Sequence, residues 1–279
     1  MGQTIACANQ KGGVGKTTTV VNLASYLAID GDRVLVVDLD PQGNATSGFG
    51  VDRASLDRSV YDAVVDGHDL ASLIVQGTAA GVDIVPSSIA LAGAEVELAG
   101  VAARERRLRR LLEPVVDRYD IVFVDCPPSL GLLTVNALTA ADAVLVPLQC
   151  EYYALEGLTQ LLATIDLIRD HLNPRLRLDG VVLTMADART NLSADVAAEA
   201  RRHLGERVYE TVIPRSVRLS EAPSHGLPIN RYAAESRGAH AYAALAREFR
   251  TRRAARPVMT PDAIPASSPA PTSEALVLS

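Results

Sequence analysis

Only two lysines occur in this chain, Lys11 and Lys16, although it carries 27 Lys+Arg in its 279 residues. Both lie in one stretch, Asn9-Gln10-Lys11-Gly12-Gly13-Val14-Gly15-Lys16-Thr17-Thr18. Lysine presents a compact ammonium on a slim stem, which suits a point contact with phosphate. Glycines let a backbone curl and aim its N–H groups at phosphate oxygens, where a Cβ would obstruct. Lys16 is then placed to reach β- and γ-phosphates and the Thr17 hydroxyl to ligate Mg2+, with Gly12, Gly13, Val14, Gly15 and Thr18 completing the cradle. The usual pattern is G-x-x-x-x-G-K-[ST]. Here Gln10 fills the place of the first glycine and Lys11 adds a second cation, the deviant Walker A form.

Two acidic stretches could complete a hydrolytic site. Arg33-Val34-Leu35-Val36-Val37 runs into Asp38-Leu39-Asp40-Pro41-Gln42-Gly43-Asn44-Ala45-Thr46, where a switch segment beside the phosphates would lie. Asp40 is the candidate for positioning the attacking water or assisting its deprotonation. Asp38 would support it or contact Mg2+ through water. Tyr119-Asp120-Ile121-Val122-Phe123-Val124-Asp125 is an apolar run closing on a carboxylate, the pattern of a Walker B strand whose Asp125 holds Mg2+. Cys126-Pro127-Pro128-Ser129-Leu130-Gly131 reads as a rigid turn into a helix, a second switch able to respond to the γ-phosphate.

These residues need a scaffold. Ile5-Ala6-Cys7-Ala8 reads as a buried strand into the loop, and Val20, Val21, Leu23, Ala24 and Leu27 as a helix out of it, whose N-terminal partial charge favours an anion. Apolar runs predict further strands at 82–86, 143–148, 178–185 and 208–213. Helical spacing predicts helices over 56–65, 70–75, 102–117, 152–171, 192–204 and 238–253. In 102–117, Leu108, Leu111, Leu112 and Val115 would face inward. Arg104, Arg106, Arg107, Arg109 and Arg110 would form a solvated face, a nucleic-acid or partner role being the alternative. Leu155, Leu158, Leu161, Leu162, Ile165 and Ile168 read as core and dimer contacts. Alternating strands and helices without period-2 patterning imply a doubly wound α/β fold, with a mostly parallel sheet covered on both faces.

Composition bounds the rest. The chain is 48% hydrophobic with no Trp, so its core is aliphatic. A net charge of −6 argues against a general nucleic-acid coat protein but leaves room for a local basic patch. Cys7, Cys126 and Cys150 show no metal spacing and read as reduced core residues of a cytosolic protein. Asn9 stands so close to Met1 that no leader is expected, and no apolar run reaches the ~18 residues that span a bilayer. Residues 1–255 would form one domain. Residues 256–279, rich in Pro, Ala and Ser, would form a disordered tail.

Together the three stretches resemble the ParA/Soj family of deviant-Walker-A partitioning ATPases, P-loop NTPases in the larger group that includes MinD. The resemblance covers about residues 2 to 253. It extends to Asp187-Ala188-Arg189-Thr190-Asn191 and to Pro214-Arg215-Ser216-Val217-Arg218-Leu219-Ser220-Glu221-Ala222-Pro223-Ser224. It implies hydrolysis of ATP with Mg2+ by a homodimer that forms on ATP. Lys11 would contact the nucleotide of the opposite subunit, and Asp40 would be the catalytic switch residue. Pro214, Arg215 and Ser216 would lie near the adenine, with Met185 a further candidate; Ser216 stands where many relatives carry Asn. Arg189 and Arg218 match positions that bind DNA in Soj-like proteins, and Arg215 and Arg250 could extend that set. The resemblance further implies non-specific double-stranded DNA as ligand and a ParB-type centromere-binding partner that stimulates hydrolysis. The work would be chromosome or plasmid segregation, in the cytoplasm and on the nucleoid. No N-terminal DNA-binding extension is expected, so the chain looks like the short, chromosomal type.

Other readings stay open. A MinD-like protein would use its terminal basic helix as a membrane anchor. Here the amphipathic stretch 238–253 ends in Arg250, Arg252 and Arg253 and is followed by the nearly uncharged tail, so packing on the domain is expected instead. A metabolic ATP-dependent synthetase on the same fold would activate a small carboxylate, but no pocket residues for one stand out. A scaffold with a decayed site conflicts with the intact Lys16, Thr17, Asp40 and Asp125.

Overall fold

The computed structural model describes residues 2–78, 80–151, 154–187 and 189–255. The chain runs β1 (Gln3–Cys7), α1 (Lys16–Ile29), β2 (Val34–Asp38), α2 (Asn44–Gly48), α3 (Val60–Val64), β3 (Asp83–Val85), α4 (Ala94–Glu97), α5 (Arg107–Leu112), β4 (Ile121–Asp125), α6 (Leu132–Ala140) and β5 (Ala143–Gln149). It continues through α7 (Ala154–His171), β6 (Arg177–Ala186), α8 (Asn191–Leu204), β7 (Val208–Pro214), α9 (Val217–Glu221), α10 (Ile229–Tyr232) and α11 (Arg237–Ala254). The seven strands form one sheet in the order β3-β2-β4-β1-β5-β6-β7, and each neighbouring pair is parallel. This is the doubly wound α/β fold expected from the apolar, non-alternating strands: with helices on both faces, successive side chains of a strand are all buried.

Two cores result. Ile5, Cys7, Val34, Val36, Ile121 and Phe123 point to the face covered by α1 and α11, where Leu23, Leu27, Tyr242, Leu245 and Phe249 meet them. Ala6, Leu35, Val37, Val122, Val124, Val144 and Val146 point to the other face, against Leu108 and Leu112 of α5, Leu133 and Ala137 of α6, and Leu158, Leu161 and Ile165 of α7. The terminal helix α11 therefore packs on the domain, as expected. No helix among the described residues is long and apolar enough to cross a membrane. All three cysteines are free and buried.

Three expectations need correction. The helix expected over 102–117 is broken into a 3-10 turn (Arg104–Arg106), α5, and a second 3-10 turn (Val116–Arg118). Pro114 ends α5, since it has no N–H for the Arg110 carbonyl and its ring clashes with the turn before it; at the other end Ala103 is left-handed (φ +52°), so no helix runs through it. The inward set survives, with Leu108, Leu112 and Val115 buried. The helix expected over 56–65 starts only at Val60, because Ser59 and Asp62 form a reciprocal capping box that sets the start there. The stretch 70–75 is a 3-10 turn (Leu70–Leu73), after which Val75 pairs with Ile84. Of the helix expected over 152–171, Tyr152 and Tyr153 lie outside the described residues, as does the expected tail 256–279.

Candidate nucleotide site

In an open parallel sheet, ligands sit outside the carboxyl ends of the strands, where the strand order reverses. Here that point is β1, flanked by β4 and β5. The loop 8–15 leaves β1 at this point. Its base is pinned by Asn9, which is buried; Nδ2 donates to the Pro147 carbonyl at 2.7 Å and Oδ1 accepts from the Lys11 N–H at 3.0 Å. From the other side the Thr184 hydroxyl, at the end of β6, donates to the Val14 carbonyl at 2.8 Å. Gly15 then takes a left-handed conformation (φ +90°) that only glycine adopts cheaply, and α1 begins at Lys16 with no side-chain cap. The first N–H groups of α1 thus stay available to an anion.

Lys16 is buried and folds back over the loop, its Nζ 3.1 Å from the Lys11 carbonyl. Lys11 itself is half exposed and pairs with Glu151 of its own chain at 2.7 Å; Gln149 donates to the other Glu151 oxygen.

The acidic side of the site is built by register. Asp38 and Asp125 face each other at the ends of β2 and β4, level with Cys7 of β1. Asp38 accepts hydrogen bonds from the Thr46 N–H (2.8 Å), the Thr46 hydroxyl (2.7 Å) and the Asp40 N–H (3.1 Å). Burial still pushes its pKa up to about 6, because those donors offset only part of the desolvation. Asp38 is therefore a structural clamp on the Asp40 loop as the structure stands. Asp125 is 0% exposed and neither carboxylate oxygen has a hydrogen-bond partner. Its pKa is raised well above the ordinary value, first by burial and next by the Asp38 charge, with Thr17 and Lys16 acting the other way. A buried carboxylate left unpartnered beside a hydroxyl and an ammonium is a place for a hard cation, so Thr17 and Asp125 fit Mg2+. Asp40 lies at the same edge: Oδ1 accepts from the Gln42 N–H at 2.9 Å and its carbonyl from the Gly43 N–H at 2.8 Å.

The expected base-contacting residues fall on this edge too. Pro214 ends β7 in register with Ala186, the Arg215 N–H donates to the Ala186 carbonyl at 3.0 Å, and Ser216 precedes α9. Met185 sits beside them with φ +53°, a left-handed conformation that is strained for a residue with a side chain.

The arginines divide. Arg189, 87% exposed, is gripped by Asp187 at 2.6 Å, and holds that carboxyl well below the usual range. Arg218 pairs with Glu221 at 2.9 Å. Both, with Arg215, follow the carboxyl ends of β6 and β7 and so lie at the nucleotide edge. Arg250 does not belong with them. It binds Asp30 (3.1 Å) and Asp32 (2.8 Å) and donates to the Asp30 carbonyl, in the turn before β2, at the opposite end of the sheet. Its role is to fasten α11 to that turn.

Sequence reasoning missed Thr184, Thr46 and Glu151. Thr46 could have been marked by its place after the Asp38–Asp40 run. Thr184 is 170 positions from the carbonyl it supports, and no local pattern signals it.

Comparison with known proteins agrees with this geometry. Residues 2–178 match the AAA domain family. The chain is 58% identical over 248 residues to the sporulation initiation inhibitor protein Soj of Bacillus subtilis, covering 89% of this chain and 98% of that protein. It is 51% identical over 250 residues to the chromosome partitioning protein ParA of Caulobacter vibrioides, covering 89% and 94%. Among solved structures, a cobyrinic acid a,c-diamide synthase of Mycobacterium smegmatis with bound ADP and magnesium superposes with a TM-score of 0.80 at 40% identity, over 94% of this chain and 100% of that one. The cell division ATPase MinD of Pyrococcus furiosus superposes with a TM-score of 0.75 at 27% identity, over 90% and 99%.

Proposed function

From the premise that this chain belongs to the Soj/ParA family of partitioning ATPases, we propose that it hydrolyses ATP with Mg2+ to switch its own dimerisation and its hold on DNA. The observation that carries the hydrolytic part is the unpartnered Asp125 carboxylate, buried in register with Asp38 beside Lys16 and Thr17. The loop amides from Gly12 to Thr18 and the Lys16 ammonium bind the phosphates and neutralise charge that develops on them. Mg2+, held by Thr17 and Asp125, would supply further charge neutralisation at the phosphate oxygens. Asp40 orients the attacking water, its loop held by Asp38 below. Pro214, Arg215 and Ser216 line the base end, with Met185 beside them.

Lys11, half exposed at the same edge, is available to a second subunit once it leaves Glu151. Arg189, Arg215 and Arg218 of two subunits would bind DNA phosphates without reading bases, and a ParB-type partner would trigger hydrolysis and release. Each neutralised phosphate contributes about 0.9 to the log–log salt slope, so doubling the contacts by dimerisation makes binding steeply state-dependent.

The test is a mobility shift with a non-specific duplex, without nucleotide, with ADP and with ATP, on the wild type and Asp40→Ala. ATP-dependent binding that persists longer in Asp40→Ala and falls steeply with salt is expected. Absence of binding in every state, with ATP binding confirmed, would overturn the DNA part. ATP turnover that depends on a small carboxylate metabolite instead would favour a synthetase, the class of the 40% identical neighbour.

A further inference from the structure

The loop that carries Asp40 is also held from outside, by Arg53. Its guanidinium donates through Nη1 to the Gln42 carbonyl and through Nη2 to the Pro41 carbonyl, 3.4 Å away. Its Nε is buried with no acceptor, and no carboxylate pairs with it among the described residues. The backbone beneath is fixed by Asp52, whose carboxylate accepts from the Ala54 N–H at 3.0 Å and whose carbonyl accepts from the Ser55 hydroxyl at 2.8 Å. Gly43 makes room for this contact. A Cβ there would stand 2.6 Å from Arg53 Nε and 2.7 Å from Cζ, and the residue sits at φ +62° besides.

The other ties of the loop are its own turn bonds, Gln42 N–H to Asp40 Oδ1 and Gly43 N–H to the Asp40 carbonyl, and at its base the Asp40 N–H to Asp38 and the Leu39 N–H to the Asp125 carbonyl at 2.9 Å. The first two move with the loop. Asp38 and Leu39 anchor its base, and among the described residues Arg53 is the side chain that holds the Pro41 and Gln42 carbonyls from the other side.

We propose that Arg53 is a positioning residue for hydrolysis: by fastening the carbonyls of Pro41 and Gln42 it holds the Asp40 carboxylate in one orientation toward the phosphates. This rests on the role given to Asp40 above. An arginine suits the task because its planar fork serves two carbonyls at once, which a lysine's single ammonium does not. Leaving it without a counter-ion keeps its donors on those carbonyls. Misplacing a catalytic group by about 1 Å can cost ~100-fold in rate, so a loosened loop affects turnover more than binding.

Single-turnover hydrolysis of MgATP, nucleotide affinity measured with a fluorescent ATP analogue, and amide exchange would be followed in the wild type, Arg53→Ala, Arg53→Lys and Asp40→Ala. In Arg53→Ala the rate falls about 10-fold with affinity within twofold, and exchange speeds up at the Gln42 and Gly43 amides but not at Thr17 and Thr18. Arg53→Lys recovers part of the rate. A rate within twofold of wild type, or weakened affinity at an unchanged rate, overturns the proposal. If Arg53→Ala does not fold, Arg53→Lys decides: a lowered rate at unchanged affinity supports positioning and an unchanged rate refutes it. Full activity in Asp40→Ala would instead remove the reading of Asp40 itself, whereas a dead Asp40→Ala beside a normal Arg53→Ala defeats the Arg53 proposal alone.

Discussion

Replacing Asp125 by Asn should make the nucleotide-free protein more stable while costing it Mg2+-dependent binding. The side chains have nearly the same volume, neither Asp125 oxygen has a close hydrogen-bond partner, and the nearby Thr17 hydroxyl can face an Asn carbonyl oxygen as well as a carboxylate. A buried carboxylate without a partner costs several kcal/mol after relaxation, against about 1–3 for a buried amide, so a gain of roughly 2 kcal/mol at pH 7.5 is expected. For a domain of this size that raises Tm by about 4–8 °C. The pH dependence gives the sharper test. Asp38 and Asp125 both have raised pKa values, so the folded state holds their protons more tightly than the unfolded chain does. Stability therefore falls as pH rises, between the ordinary carboxylate range and the raised values. For Asp38 alone, displacement from 3.8 to about 6 amounts to about 3 kcal/mol across that window. Thermal unfolding from pH 5 to 7.5 should show the decline in the wild type and a flatter profile in Asp125→Asn. MgATP at 100 times its Kd should add ~2.7 kcal/mol to the wild type and far less to the variant. A variant that is less stable than wild type at pH 7.5, or parallel pH profiles, would refute the idea that Asp125 is a strained, cation-seeking group.

Thr184→Val keeps the shape of the β6 terminus but removes the donor to the Val14 carbonyl; nucleotide affinity should fall about 5- to 10-fold, in line with one lost buried hydrogen bond, as read by titration with a fluorescent ATP analogue. Arg250→Ala should lower stability by about 1 kcal/mol through lost pairing with Asp30 and Asp32, and leave the salt slope of DNA binding unchanged in a mobility-shift series. Arg189→Ala in the same series should reduce that slope by about 0.9 per subunit.

What could be read from sequence had local causes. The nucleotide loop requires particular residue types at fixed spacing, and its strand is apolar throughout because both faces are covered, so loop and sheet were legible together. The Asp38–Asp40 and Asp125 stretches were visible because strands that end in carboxylates interrupt apolar runs. The broken helix over 102–117 shows the limit of periodicity: the inward leucines are spaced correctly, yet Pro114 ends the helix whatever the spacing of its neighbours. Arg250 shows a different limit. It looks like Arg189 and Arg218 in sequence, and only strand direction reveals that it lies at the other end of the sheet. Thr184 and Arg53 act on backbone carbonyls, which every residue has, so no partner residue type betrays them.

Lys11, Arg189 and Arg218 share an arrangement that bears on switching. Each is paired within its own chain, with Glu151, Asp187 and Glu221. Exposed ion pairs of this kind contribute about 0–1 kcal/mol each, so none of them locks its cation. For Arg189 and Arg218, exchanging the carboxylate for a DNA phosphate would cost little and release counter-ions from the nucleic acid, the source of a salt-dependent gain; for Lys11 the phosphate would be that of the opposite subunit's nucleotide. The same pairs would lower the DNA affinity of a single subunit in the proposed function, because each cation must first leave its acid. Under the proposed function, a subunit with two of its DNA-facing cations weakly neutralised at home would bind DNA poorly alone and better when two copies act together. That is the behaviour a nucleotide-controlled dimer needs, and it follows from three acids that contribute little to holding the fold together.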